Sequence, residues 1–113
     1  MSQVQKLLFV CSQNQWRSPT AEKIFKGFAG YSAKSAGTES GARIKVTAGH
    51  IGWADLIFVM ERRHAERLKS KFSEALAHKK IICLDIPNDL TYMHPELIEL
   101  LKERLSEYVD VPK

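Results

Sequence analysis

The first strong pattern along the chain is Leu7-Leu8-Phe9-Val10, an unbroken apolar run that stops at Cys11. A run without polar alternation suits a strand covered on both faces better than a half-exposed one. Polar residues follow, and then Ala21, Ile24, Phe25 and Phe28 recur at helical spacing behind Ser18-Pro19. The spacing predicts a helix that Ser18 caps, that has Pro19 in its first turn and that Gly27 and Gly30 close. Residues 31–36 read as a second strand ending at Gly37, 56–60 as a third and 81–84 as a fourth. A short helix is expected over 47–53 and a charged, surface-lying helix over 61–71. The last helix starts near Pro95 and carries Leu97, Leu101, Leu105 and Tyr108 on one face, flanked by Ile98 and Leu100.

Strand and helix alternate throughout, without repeats or linkers. The economical fold is α/β, a three-layer sandwich with a parallel sheet and helices on both faces. At 113 residues the chain makes one domain, too short for a second substrate-binding unit, so a site has to be built from loops on one scaffold. Crossovers in such sheets are right-handed, and ligands bind outside the carboxyl ends of the strands. Cys11 and the turn-rich segment Asp85-Ile86-Pro87-Asn88-Asp89 both lie at such ends. They are expected to face each other across one crevice.

Composition narrows the setting. Hydrophobic residues at 44% and charged residues at 27% are the balance of an ordinary soluble protein. No apolar run approaches the ~20 residues of a membrane span, and the N-terminal MSQVQK has neither an apolar core nor a cleavage site. Two cysteines, Cys11 and Cys83, do not make a disulfide scaffold, and no Cys/His cluster has zinc-ligand spacing. A reducing, cytoplasmic setting is expected, with no metal, no cofactor and no membrane partner. Seventeen basic against thirteen acidic side chains leave +4, concentrated in Arg62, Arg63, Arg67, Lys69, Lys71, Lys79 and Lys80. Without interleaved aromatic residues to stack bases, this reads as a solvated helix face and loop rather than a nucleic-acid surface. A mild attraction for anionic substrates remains.

The chemistry concentrates in Cys11-Ser12-Gln13-Asn14-Gln15-Trp16-Arg17-Ser18, between a strand and a helix. Five residues from Cys to Arg suffice to wrap once around a tetrahedral anion with successive N–H groups pointing inward. The helix adds its positive end, and Arg17 can hold two phosphate oxygens through its rigid fork. The same field favours Cys11 as a thiolate nucleophile. One array of donors then serves both the nucleophile and the equatorial oxygens of a transferring phosphoryl group, without a metal. Ser18 can donate its hydroxyl to the sulfur and make it a better leaving group in a second step. The bland alternative, a small buried cysteine at a strand end, explains Cys11 alone but not Cys, Arg and Ser together at this spacing.

The segment LLFVCSQNQWRSPTAE resembles the N-terminal signature of the low-molecular-weight protein tyrosine phosphatases, in particular a short bacterial branch. Ser35-Ala36-Gly37-Thr38 is similar to the family's second-strand SAGT motif, and the resemblance continues more weakly through IFVME and LDIPND to the last helix. It implies a single phosphatase-like domain over 1–113 with a four-stranded parallel sheet, Cys11 forming a phosphocysteine intermediate and Arg17 clamping the phosphate. It also implies an Asn14–Ser35 hydrogen bond holding the loop, which Ser18 supports as well. The substrate would be a phosphorylated protein or a small aryl phosphate, with inorganic phosphate as product and inhibitor.

Three departures from the family pattern matter. The general-acid aspartate of the family's Asp-Pro-Tyr loop falls at Asn88, followed by Asp89 and Leu90. Asparagine has no proton to give, so Asp89 is the first candidate for the acid and Asp85 the second, with a carboxylate that only shapes the turn as the third reading. Trp16 replaces the second cysteine of many relatives; it is either a wall for an aromatic substrate or part of the packing of the loop. Tyr92 is a candidate rim aromatic, and Trp53 is expected in the core. His50, His64, His78 and His94 are expected in surface or helix-capping roles.

Three functions compete. Phosphomonoester hydrolysis leads. Next comes a phosphate- or phosphoprotein-binding module that has lost catalysis, motivated by Asn88. Arsenate reduction is last, because its only available resolving thiol is Cys83, on an expected strand.

Overall fold

The computed structural model describes residues 4–113; the first three residues of the MSQVQK segment lie outside the described residues. The elements are β1 (Gln5–Cys11), α1 (Arg17–Phe25), β2 (Tyr31–Gly37), α2 (Ala48–Trp53), β3 (Leu56–Val59), α3 (Arg62–Lys71), β4 (Lys80–Cys83) and α4 (Pro95–Leu105). All four strands are parallel, in the order β2-β1-β3-β4. The chain leaves β1 toward one side of the sheet and then returns to its other side, so the strand order reverses at β1. That reversal opens a crevice at the carboxyl end of β1, where Cys11 sits.

Continuous apolarity in β1 reflects two cores. Leu7, Phe9 and Cys11 face one of them, together with Ala21 and Phe25 of α1 and Leu97, Leu101 and Leu105 of α4. Leu8 and Val10 face the other, with Ile51 of α2 and Ala65 and Leu68 of α3. Phe9 stacks between Phe25 and Phe58 at ring-centroid distances of 5.8 and 5.5 Å, which fixes α1 against the strand that delivers Cys11.

Local chemistry explains most boundaries. Gly27, at φ +77°, lets the chain turn just after α1 ends. Thr47 caps α2 reciprocally with His50, and Glu61 caps α3 reciprocally with His64. Pro95 opens α4 behind His94, whose Nδ1 accepts the Glu96 amide at 3.1 Å.

Two expectations need correcting. Ser18 does not cap α1: the helix begins at Arg17, Trp16 holds the cap position without a side-chain bond, and Ser18 lies inside the first turn. Its hydroxyl is drawn to the loop instead. Trp53 is half-buried at the rim of the second core, with the Lys34 ammonium 4.6 Å above its ring. No helix among the described residues is long and apolar enough to cross a membrane.

Candidate active site

Between β1 and α1 the backbone carbonyls are turned outward and fastened. The amides of Thr38, Glu39 and Arg43 donate to the carbonyls of Cys11, Ser12 and Gln13 at 2.9, 3.0 and 3.0 Å. Arg43 Nε donates to the Asn14 carbonyl at 3.0 Å. Among the described residues, nothing accepts the amides of Ser12, Gln13, Asn14, Gln15 or Trp16. A run of free N–H groups leading into a helix N-terminus is an anion-binding nest. Asn14 makes the curvature possible with φ +57°, a left-handed conformation that asparagine tolerates better than most residues.

The segment after β2 can fasten the loop only because it comes very close. A Cβ placed on Gly37 would lie 2.6 Å from the Ser12 carbonyl oxygen and 2.6 Å from Ala42 Cβ. Glycine in the SAGT segment is therefore a requirement of contact.

Cys11, Ser12, Gln13, Gln15, Trp16, Arg17 and Asn88 line a cavity of about 130 Å³. Arg17 is only 2% exposed. Its Nη1 donates to Glu61 Oε2 at 2.5 Å and to the Ile86 carbonyl at 2.8 Å, so the ends of β3 and β4 both position it. One nitrogen carries both bonds, which leaves the other guanidinium N–H groups for an oxyanion. Glu61 is held at a pKa of about 2, first by hydrogen bonds from Arg63 and then by the bond and charge of Arg17, against the opposing effect of burial. It stays ionised and Arg17 stays neutralised on one side.

At the floor of the cavity, Ser18 Oγ lies 3.0 Å from Cys11 Sγ. Asn14 Nδ2 donates to the same hydroxyl at 2.8 Å. Since Asn14 occupies an acceptor position of Ser18, the hydroxyl hydrogen is free to point to the sulfur, or to the more distant Ala36 carbonyl at 3.4 Å. The expected Asn14–Ser35 bond is not formed. Ser35 donates to Glu22 of α1, because the outward-fastened loop aims the Asn14 amide at Ser18 and not at β2. The Asn14 side-chain oxygen is buried and has no partner among the described residues.

The β4–α4 segment contributes Asn88 to the cavity wall, so the two strand ends do share one crevice. Asp89 is exposed and does not line that cavity, and Leu90 packs against the first core. Asp85, at φ +54°, lines a separate depression with Cys83 and Arg104. Tyr92 lines a groove with Pro19, Glu22 and Arg43, away from the cysteine. Trp16 is 38% exposed at the cavity mouth, where it forms a wall and is not packed into the core.

Sequence reasoning missed Glu61 and His64. His64 does cap α3, since its Nδ1 accepts the Glu61 amide at 3.0 Å, but it is 1% exposed and its Nε2 lies 2.9 Å from Ser12 Oγ. With Nδ1 accepting, the neutral ring carries its proton on Nε2 and donates to Ser12. That leaves the Ser12 hydrogen free beside Cys11. A signal did exist: Glu61 follows the end of the third strand, where residues of this fold meet the ligand.

Residues 6–51 match the family model of the low molecular weight phosphotyrosine protein phosphatases. No curated protein matches the chain. Among solved structures, Wzb of Vibrio vulnificus in complex with benzylphosphonate aligns at TM-score 0.74 and 23% identity, over 93% of this chain and 97% of that one. The tyrosine phosphatase Wzb of Escherichia coli K30 in complex with phosphate aligns at 0.71 and 19%, over 93% and 96%. The YwlE arginine phosphatase of Geobacillus stearothermophilus aligns at 0.68 and 22%, over 91% of each chain. Such identities speak for the fold. The segment that holds the cysteine loop and its SAGT support thus matches the low molecular weight phosphotyrosine protein phosphatase family, and the chain as a whole has the α/β fold of the solved phosphatases it aligns with.

Proposed function

We propose that this protein is a cysteine-dependent phosphomonoester hydrolase acting on phosphotyrosine or a similar aryl phosphate. The observation that carries the reading is a run of free amides leading from Cys11 to Arg17, with both of those side chains lining one cavity. In the first step the Cys11 sulfur attacks phosphorus, the bond to the aryl oxygen breaks, and the phosphoryl group moves to sulfur while the amides and Arg17 hold its equatorial oxygens. In the second, water attacks phosphorus and the sulfur leaves, its charge stabilised by the Ser18 hydroxyl 3.0 Å away. Inorganic phosphate is the product and, by the same contacts, an inhibitor. The exposed face of Trp16 favours an aromatic leaving group.

Hydrolysis of para-nitrophenyl phosphate, abolished by Cys11→Ser and inhibited by phosphate, tests this. Phosphotyrosine and phosphoarginine should be compared alongside it, since the solved relatives include phosphatases of both names. Inertness of the wild type toward all three over a broad pH range overturns the reading.

A second reading is a phosphate- or phosphoprotein-binding module with impaired catalysis. It is favoured by Asn88 standing in the cavity where a carboxylate acid is needed, with Asp89 exposed. Phosphopeptide binding without turnover would support it. Arsenate reduction needs a resolving thiol, and Cys83 packs against the core on the far side of the sheet from Cys11. Cysteines 11 and 83, both free, fit a cytoplasmic setting.

A further inference from the structure

Beside the cysteine loop lies a second concavity, larger than the first. Lys45, Val46, Arg63, Arg67, Lys71 and Phe72 are among the residues lining about 630 Å³. Its floor is apolar, formed by Val46, Leu68 and the half-buried Phe72. Its walls are cationic. Two of the four cations are answered, Arg67 by Glu39 at 2.9 Å and Arg63 by Glu61 at 3.2 Å. Lys45 and Lys71 have no ion-pair partner among the described residues, although one carboxylate, Glu66, also lines the groove.

The two lysines repel each other. Lys45 is pushed below its ordinary value, first by desolvation and then by the charge and side chain of Lys71, and the Glu39 carboxylate only partly offsets this. Like charges brought together and only partly neutralised favour a bound anion that lies between them. The groove is also joined to the loop. Thr38, on its rim, donates its amide to the Cys11 carbonyl at 2.9 Å, and Arg63 holds the Glu61 that positions Arg17.

Resting on the hydrolase reading above, we propose that this groove is the substrate-docking surface of the enzyme and takes acidic residues flanking the phosphorylated residue of a protein substrate. An apolar floor under paired ammonium groups suits a peptide that alternates aspartate or glutamate with aliphatic side chains. A polyphosphate or a nucleic-acid backbone would leave the half-buried Phe72 ring without an apolar partner. Surface ion pairs contribute little each, so two of them predict a preference of about three- to tenfold, salt-sensitive in the usual way.

The test uses three substrates: para-nitrophenyl phosphate, a phosphotyrosine peptide with neutral flanks, and the same peptide with acidic-aliphatic flanks. Wild type is compared with the Lys45→Glu/Lys71→Glu variant, whose folding is checked by thermal melting. The acidic peptide is expected to show a kcat/KM about three- to tenfold above the neutral one at low ionic strength. The variant is expected to abolish that preference and leave para-nitrophenyl phosphate turnover unchanged. Turnover with equal rates for both peptides, or a preference that survives in the variant, overturns the docking surface and not the hydrolase. If no substrate is turned over, the hydrolase reading fails, and fluorescence anisotropy of the same two phosphopeptides decides the groove separately: equal affinities overturn it. Binding of a single-stranded oligonucleotide more tightly than the acidic peptide overturns it too.

Discussion

Asn14 Nδ2 donates to Ser18 Oγ at 2.8 Å, and the same oxygen lies 3.0 Å from Cys11 Sγ. A residue in the left-handed conformation at the top of the loop thereby sets the direction of a hydroxyl at its floor. Asn14→Ala is expected to lose both the amide donor and the tolerance for φ +57°, at a cost of about 1–3 kcal/mol in stability and most of the activity. Asn14→Gly separates the two effects. It should recover about 1 kcal/mol of stability relative to alanine, because glycine accepts the backbone conformation, without recovering kcat. Equal kcat for Asn14→Gly and wild type would remove Asn14 from the control of Ser18.

Gly37 offers a test of the support behind the loop. An alanine there puts its Cβ 2.6 Å from the Ser12 carbonyl oxygen and 2.6 Å from Ala42 Cβ, so backbone on one side has to yield. Overpacking of this kind costs about 1–3 kcal/mol. Because the yielding carbonyl belongs to the anion nest, phosphate affinity should weaken along with Tm. A Gly37→Ala protein with unchanged phosphate inhibition would show that the loop is held independently of this contact.

Glu61 and His64 predict acid sensitivity of a definite sign. His64 is pushed from 6.5 to about 4, first by burial and then by the Arg17 charge. Between those two values the unfolded chain binds a proton that the folded one refuses, so stability falls as pH drops through this window. Glu61, lowered from 4.5 to about 2, adds stability above pH 4.5 that is lost as pH falls toward 2. Tm should therefore decline steadily from pH 6.5 to 4. His64→Gln, which keeps an N3 capping side chain, should flatten that part of the profile. A Tm that does not change between pH 7 and 4.5 in the wild type contradicts the burial argument for His64.

The strands and helices were legible because their signals are local: the apolar run of β1, the helical spacing of Leu97, Leu101 and Leu105, the Cys-x5-Arg spacing. What escaped depended on contacts between distant residues. His64 is 52 residues from Ser12 and Glu61 is 44 from Arg17, and although Ala65 and Leu68 mark the buried face of α3, nothing local says which loop its first turn meets. Ser18 looked like a helix cap by its type, yet the need to satisfy Asn14 drew it into the loop. The Ser35 expectation failed similarly, since only the fastened carbonyls decide where the Asn14 amide points.

On the proposed hydrolase reading, Asn88 at the cavity wall makes the role of a general acid measurable. Asn88→Asp should place a proton donor beside the leaving group and raise phenyl phosphate hydrolysis by about 10–100-fold, near the lower part of the range for general acid catalysis. Para-nitrophenyl phosphate, whose leaving group needs little protonation, should gain much less. Asp89→Asn, by contrast, should change neither substrate by more than about twofold if that exposed carboxylate only shapes the turn, and a large loss there would restore Asp89 as the acid.

Oxidation separates the two cysteines. Val10 pairs with Val59 and Val59 with Cys83, so β3 runs between the strands that carry the thiols. Strands two positions apart are about 9–10 Å distant, whereas a disulfide needs Cα atoms within about 7 Å. Cys11 also faces the first core and Cys83 the second. Peroxide should accordingly carry Cys11 to sulfenic and then sulfinic acid, with activity recovered by thiols only at the first stage. Mass spectrometry should find no 11–83 disulfide, and Cys83→Ser should inactivate at the same rate as wild type. A protective effect of Cys83 would require the sheet to open at β4, and would bring thiol-dependent arsenate reduction back into contention.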